Sequence, residues 1–141
     1  MPYSKRVQFL RTLIDGHRLL SASAKLSAIA GEANRISRAG RMSTDSGWLL
    51  AVLHTTRTLD TTLAEICVAK HWPRPKSLGE ALHALQANRV IDMHARQAYF
   101  TSIVVPRNRY MHEANAMPQR RESDAMLAEM HNCLTYVLNS V

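Results

Sequence analysis

The sequence predicts an all-α fold, a bundle of about five helices forming one domain over residues 1–141. Three features predict it. Apolar residues recur at steps of three and four along most of the 141 residues, as they do in a helix that buries one face, and strand-like alternation is absent. The breaks between these stretches coincide with capping residues and prolines, and no repeat, low-complexity tract or glycine-serine linker divides the chain. The length suits a single core, large enough to bury about two-thirds of the surface the unfolded chain exposes.

The first helix is expected over about residues 4–39, with a break near Gly16 or Gly31; Val7, Leu10, Ile14, His17, Ala24 and Ala28 recur at helical spacing. Its second half, with Ser21, Ser23, Ala24, Ser27, Ala28 and Ala30, is built of small residues that let a neighbouring helix approach closely. Gly40 to Ser46 reads as a turn and cap. Trp48, Val52, Thr55, Leu59, Thr62, Leu63 and Ile66 then trace the strongest core helix, to about Lys70. His71-Trp72-Pro73-Arg74-Pro75 should end it, because a proline disfavours helical geometry in the residue before it. Ser77 with Glu80 is a capping box opening a short helix through Leu78, Leu82 and Leu85, which ends near Asn88. Asp92 caps the next, which turns Tyr99, Phe100, Ile103 and Val104 inward before Pro106 removes a backbone hydrogen bond and kinks it. A loop over Asn115 to Arg121 precedes a last helix with a seam of Met126, Met130, Cys133, Leu134, Val137 and Leu138.

The net charge is +7, and arginine outnumbers lysine by fourteen to four. Arginine grips phosphates bidentately and stacks on bases, so the balance tilts towards RNA as a partner; a merely solvated basic surface is the alternative. From Met1 to Met42 eight basic residues stand against Asp15 and Glu32, while the remainder is nearly neutral. Arg35, Arg38 and Arg41 are therefore expected to belong to an RNA footprint. Met1 to Gln8 is polar and basic and nowhere are there about 18 consecutive apolar residues, so neither secretion nor a membrane span is expected. Cys67 and Cys133 lie on apolar stripes without CxxC spacing, which reads as a cytoplasmic chain with reduced thiols.

No metal or cofactor is expected. His112-Glu113 begins an HExxH pattern, but Ala116 stands where the second histidine would be, and no Gly-rich phosphate loop or Gly-x-Ser-x-Gly elbow occurs. His54, His71, His83, His94 and His131 lack tight ligand spacing, so structural roles are expected for them. Asp60 and Glu65 on the long second helix are candidates to face the one motif that does stand out.

That motif is Pro106-Arg107-Asn108-Arg109-Tyr110-Met111-His112. On a helix Asn108 and His112 share a face, whereas Arg107 and His112 point roughly 140° apart. Either the helix ends inside the motif and His112 swings round, or a second copy of the motif completes the site. At these residues the chain resembles the HEPN superfamily, whose ribonucleases carry an arginine, four to six intervening residues and a histidine, usually with a polar residue directly after the arginine. The resemblance covers roughly Thr44 to Val141. It implies a metal-independent endoribonuclease acting as a toxin or anti-phage effector, a homodimer with two motifs face to face, and, for a toxin, control by a bound antitoxin protein, by another modification site or by regulation of expression. In the branch silenced by modification a tyrosine sits two positions after the histidine; here that position is Ala114, so control by that route is not expected.

RNA supplies its own nucleophile, the 2′-hydroxyl, so the chemistry needs a base and a stabiliser of phosphate charge. His112 is the expected base, since neutral imidazole has a pKa near cellular pH. Arg107 and Arg109, with Arg120 and Arg121, are the expected stabilisers, and Asn108 holds the imidazole tautomer or a phosphate oxygen. Tyr110 is either a packing ring or a base-stacking one. The products implied are a 2′,3′-cyclic phosphate and a 5′-hydroxyl. Two blander readings stay open: a non-catalytic HEPN-like RNA-binding module, and a helical protein-interaction domain in which Arg107 pairs with Glu113 and His112 merely meets the helix dipole.

Overall fold

A 25-residue helix, α3 (Asp45–Ala69), stands at the centre of the molecule in a computed structural model that describes residues 3–141. Around it lie α1 (Tyr3–Asp15), α2 (Leu26–Arg41), α4 (Leu78–Ala87), α5 (Met93–Tyr99), a π-helical segment (Phe100–Val104), α6 (Val105–His112) and α7 (Arg120–Ser140). Met1 and Pro2, the start of the polar N-terminal segment, lie outside the described residues. The fold is all-α, and no described helix is long and apolar enough to cross a membrane. The expected helices are all present; the first and the fourth are each split.

Helices α2, α4, α6 and α7 all pack on α3. The stripe expected on α3 is buried throughout, from Trp48 to Ile66. A helix covered on several sides must hide its polar side chains without orphaning them, and α3 does so with threonines. Thr56 Oγ1 donates to the Val52 carbonyl at 3.1 Å, Thr58 to that of His54 at 2.8 Å and Thr62 to that of Thr58 at 2.7 Å. Each hydroxyl is satisfied within its own helix, so burial leaves no unmet donor.

The first expected helix breaks at Gly16, and Gly31 lies inside α2. Between α1 and α2 the chain runs through turns that still bury Leu20. His17 anchors this passage: its Nε2–H donates to the Leu138 carbonyl at 2.8 Å while Nδ1 accepts from the Leu19 amide. The small-residue stretch accordingly does not pack as expected. Ala24 and Ala28 are exposed, and the inward face of α2 is Ile29, Ala33, Ile36 and Ala39.

Helix ends follow local chemistry. Thr44, Ser77 and Asp92 cap α3, α4 and α5, each accepting from the amide three residues on. α3 ends at Ala69, four residues ahead of Pro73, because His71 adopts a left-handed φ of 61° and the Trp72 amide closes onto the Cys67 carbonyl at 2.9 Å. α7 begins at Arg120, inside the expected loop, since Gln119 and Glu122 form a reciprocal cap. Ahead of Pro106 there is a π-helical segment rather than a kink: the Val105 amide reaches back to the Phe100 carbonyl, and the proline, with no amide to donate, sits in the first turn of α6.

The corner between α2 and α3 leaves no room for a side chain at Gly47. A Cβ on buried Gly47 would stand 2.7 Å from the Ala39 carbonyl and 2.8 Å from the Met42 Cβ. Gly47→Ala is therefore expected to destabilise the protein by about 2 kcal/mol through overpacking, read as a lower urea midpoint with an unchanged slope.

Candidate functional site

α6 is continuous from Val105 to His112, and the backbone becomes extended only at Glu113, φ −96° and ψ 123°. The helix therefore runs through the motif, and His112 does not swing towards Arg107. Tyr110 sets the rotation of α6. Its ring is 9% exposed, and its hydroxyl donates to a Glu122 carboxylate oxygen at 3.0 Å, tying α6 to the first turn of α7. The Arg109 guanidinium lies 5.3 Å from the centre of that ring. Tyr110 is thus a packing ring with no face open to a base, which corrects the base-stacking expectation.

With Tyr110 inward, Val105, Asn108 and His112 face solvent on one stripe, at i, i+3 and i+7. Arg107 is half-buried at the edge of α6 beside α3, where its charge acts on Asp60. The guanidinium nevertheless reaches back to the exposed face, Nη1 donating to Asn108 Oδ1 at 3.2 Å. Asn108 is the link between the arginine and the stripe that carries His112. It does not hold the imidazole as expected; among the described residues the His112 ring takes no hydrogen bond, and Arg107 forms no pair with Glu113.

Burial lifts the Asp60 carboxyl above its usual range, and the charge of Arg107 offsets this only in part. Asp60 faces the motif as expected. Glu65 does not: it is buried, accepting from Ser23 at 2.7 Å and from Arg74 at 2.9 Å.

The expected RNA-binding arginines separate into three places. Arg35 is engaged at 2.9 Å with Glu32 on the α3 side of α2, so it leaves the footprint. Arg38 and Arg41 line a groove between α1 and α2. Arg120 stacks 5.8 Å from the centre of the Trp48 ring and sits 3.8 Å from Asp124, while Arg121 is exposed at the start of α7.

Sequence reasoning missed a second polar centre. Glu32, 7% exposed, accepts from His54 Nδ1 at 2.6 Å, from Arg35 at 2.9 Å and from Arg57 at 3.4 Å. Burial alone would raise its carboxyl, but the bonds from His54 and Arg35, and then the charges of His54 and Arg57, outweigh that and hold it below its usual range. The i, i+3 spacing of Glu32 and Arg35 was the one signal in the sequence; the His54 partner lies 22 residues away and has none. A cavity of about 380 Å³ beside this centre is lined by Lys25, Arg57, Asp60, Arg74 and Lys76. No family model, no curated protein and no solved structure matches the chain.

Opposite pH behaviour is expected of the two acids. Glu32 is depressed, so its stabilisation is complete above the ordinary glutamate value of 4.5 and is lost as the pH falls through its lower folded value. Glu32→Gln should cost about 2 kcal/mol at neutral pH, with the gap to the parent closing below that value. Asp60 is raised, so stability is lost as the pH rises from the ordinary aspartate value of 3.8 through its higher folded value. Asp60→Asn should raise the melting temperature at neutral pH and change nothing in strong acid. Denaturant titrations of both variants across pH 3 to 7 measure this.

Proposed function

We propose that the chain is a HEPN-type endoribonuclease that cleaves RNA by attack of its own 2′-hydroxyl, acting in the cytoplasm as a toxin or anti-phage effector held in check by an antitoxin protein. The observation that carries this is the exposed stripe of α6, on which Asn108 stands one turn before His112 and binds the Arg107 guanidinium. The motif matches the family pattern at all three positions and sits before the last helix of an all-α fold.

In the proposed reaction His112 removes the 2′-hydroxyl proton, the oxygen attacks the adjacent phosphorus, and the 5′-oxygen leaves, giving a 2′,3′-cyclic phosphate and a 5′-hydroxyl. Arg107 meets the negative charge that builds on the phosphate oxygens. On α6 the side chains of Arg107 and His112 leave the backbone roughly 140° apart, and in the proposed dimer the working site takes its arginine and histidine from two subunits. Support for self-association lies around the motif, where Val105, Met111, Met117 and Phe100 are 50%, 49%, 40% and 37% exposed. Exposed apolar side chains on and beside α6 are of the kind that another protein covers.

A non-catalytic RNA-binding module is the rival reading, and its support is the unheld imidazole of His112 in the single chain. Activity decides between them. The purified protein should cleave single-stranded RNA in the presence of EDTA, and His112→Ala should slow cleavage by ~100-fold or more. Cleavage that survives the substitution, or stops with chelator, would sink the mechanism.

Assembly has its own test. Arg107→Ala should lower the rate by about 3 kcal/mol of barrier, near 100-fold, yet mixing it with His112→Ala subunits should restore part of the activity. A monomer in light scattering at micromolar concentration argues against the arrangement altogether, whereas a dimer without complementation removes only the shared site.

A further inference from the structure

Between α1 and α2 runs a groove of about 610 Å³, the largest cavity described, lined by Arg11, Arg38 and Arg41 with Asp15 as the single acid. Gln8, Thr12, Asn34 and Ser37 supply neutral hydrogen-bonding groups along it. The groove does not stop at the end of α2. Ser4, Ser37 and Arg41 also line a smaller cavity of about 170 Å³, whose other walls include Trp48 and Arg120. Arg120 opens α7, whose first turn holds α6 through Tyr110 and Glu122.

The guanidinium of Arg11 is conspicuously under-used. It makes two long contacts, 3.4 Å to Asn34 Oδ1 and 3.5 Å to Asp15, and its Nε–H is buried without any partner. A buried donor that finds no acceptor in its own chain is costly, and an incoming oxygen would relieve it. Arg38 and Arg41 form no ion pair among the described residues, so their charge is also unspent. Arg35, three residues from Arg38, differs: it is held by Glu32 on the far side of α2.

We propose that the α1–α2 groove is the binding track for the phosphodiester backbone of single-stranded RNA, with Arg11, Arg38 and Arg41 on successive phosphates and Arg120 leading the strand towards α6. The track rests on the reading of the chain as an RNA-binding protein but not on cleavage. Guanidiniums suit phosphate because each offers paired N–H donors to two oxygens. Arg11 Nε–H is the buried side-chain donor left without a partner among the described residues, and a small rotation of the loosely held guanidinium turns it towards a phosphate oxygen. The neutral amides and hydroxyls add contacts to sugar and base edges without discriminating strongly among sequences.

The probe is a short 2′-O-methyl oligoribonucleotide, which lacks the nucleophile, so binding is read apart from any cleavage. Fluorescence anisotropy at several salt concentrations should show affinity falling with salt. Combined Arg11→Gln, Arg38→Gln and Arg41→Gln should weaken binding at least tenfold and lower the salt slope by about 2, near 0.7 for each lost contact. Arg11→Lys keeps the charge but removes Nε, and should give a partial loss with an unchanged slope. Arg35→Gln is the control, expected to lower the melting temperature and leave binding as it was. An unchanged slope in the triple variant, or an equal loss with Arg35→Gln, overturns the track in favour of diffuse surface charge. Displacement of the oligonucleotide by an acidic peptide of equal charge at equal concentration also overturns it and reassigns the groove to an acidic protein. Should the oligonucleotide bind as expected while natural RNA stays uncut, the track stands and the nuclease reading falls.

Discussion

The structure depends on the ability of α3 to be covered on several sides at once. Aliphatic side chains alone would satisfy burial, but the covered faces of α3 also carry Thr55, Thr58 and Thr62, all essentially inaccessible to water. The hydroxyls of Thr58 and Thr62 return to carbonyls one turn back, so their burial brings no unmet polar group. With the pillar sealed in this way, the remaining elements are placed by what they must cover. α7 lays its whole apolar seam into the core, α4 contributes Leu78, Leu82 and Leu85, and α6 is left at the periphery with one buried residue, Tyr110.

That peripheral position gives α6 its character. It is eight residues long and holds on through the Tyr110 hydroxyl, the half-buried Arg107 and the π-helical segment that feeds it. A π turn adds a residue to the helical register and so turns every following side chain by about 100°. In this chain the added residue falls just ahead of Pro106, where an ordinary helix would already lose a hydrogen bond. The outcome of that rotation is Tyr110 inward, Arg107 at the edge and Asn108 with His112 outward.

How much of this could be read beforehand divides along the range of the interactions. Face-sharing by Asn108 and His112 follows from spacing four residues apart and was legible, as were the caps at Ser77 and Asp92 and the seam of α7, because each is settled within a turn or two of helix. The π segment was not legible, since proline predicts a disturbance but not its form. Charge showed as a total, not as a placement: Arg35, Arg38 and Arg41 look alike in the sequence, yet a buried Glu32 takes the first and leaves the other two free. His54 read as an ordinary structural histidine because the carboxylate that holds it comes from another helix.

Several features of the fold work against its own stability, and they lie on two surfaces. Asp60 ionises less readily where burial surrounds it, and Val105 and Met111 expose apolar area around the motif; Arg11 leaves a buried donor empty in the α1–α2 groove. A bundle selected for stability alone would replace each with a neutral or better-fitted side chain, and by contrast it does satisfy an equally demanding buried acid at Glu32 with three partners. The difference separates polar groups that serve the core from those left unsatisfied in the isolated chain. Unsatisfied groups that cluster are better explained by a missing partner than by imperfect packing. Under the proposed function the two surfaces take different partners, a second copy of the chain at α6 and RNA between α1 and α2.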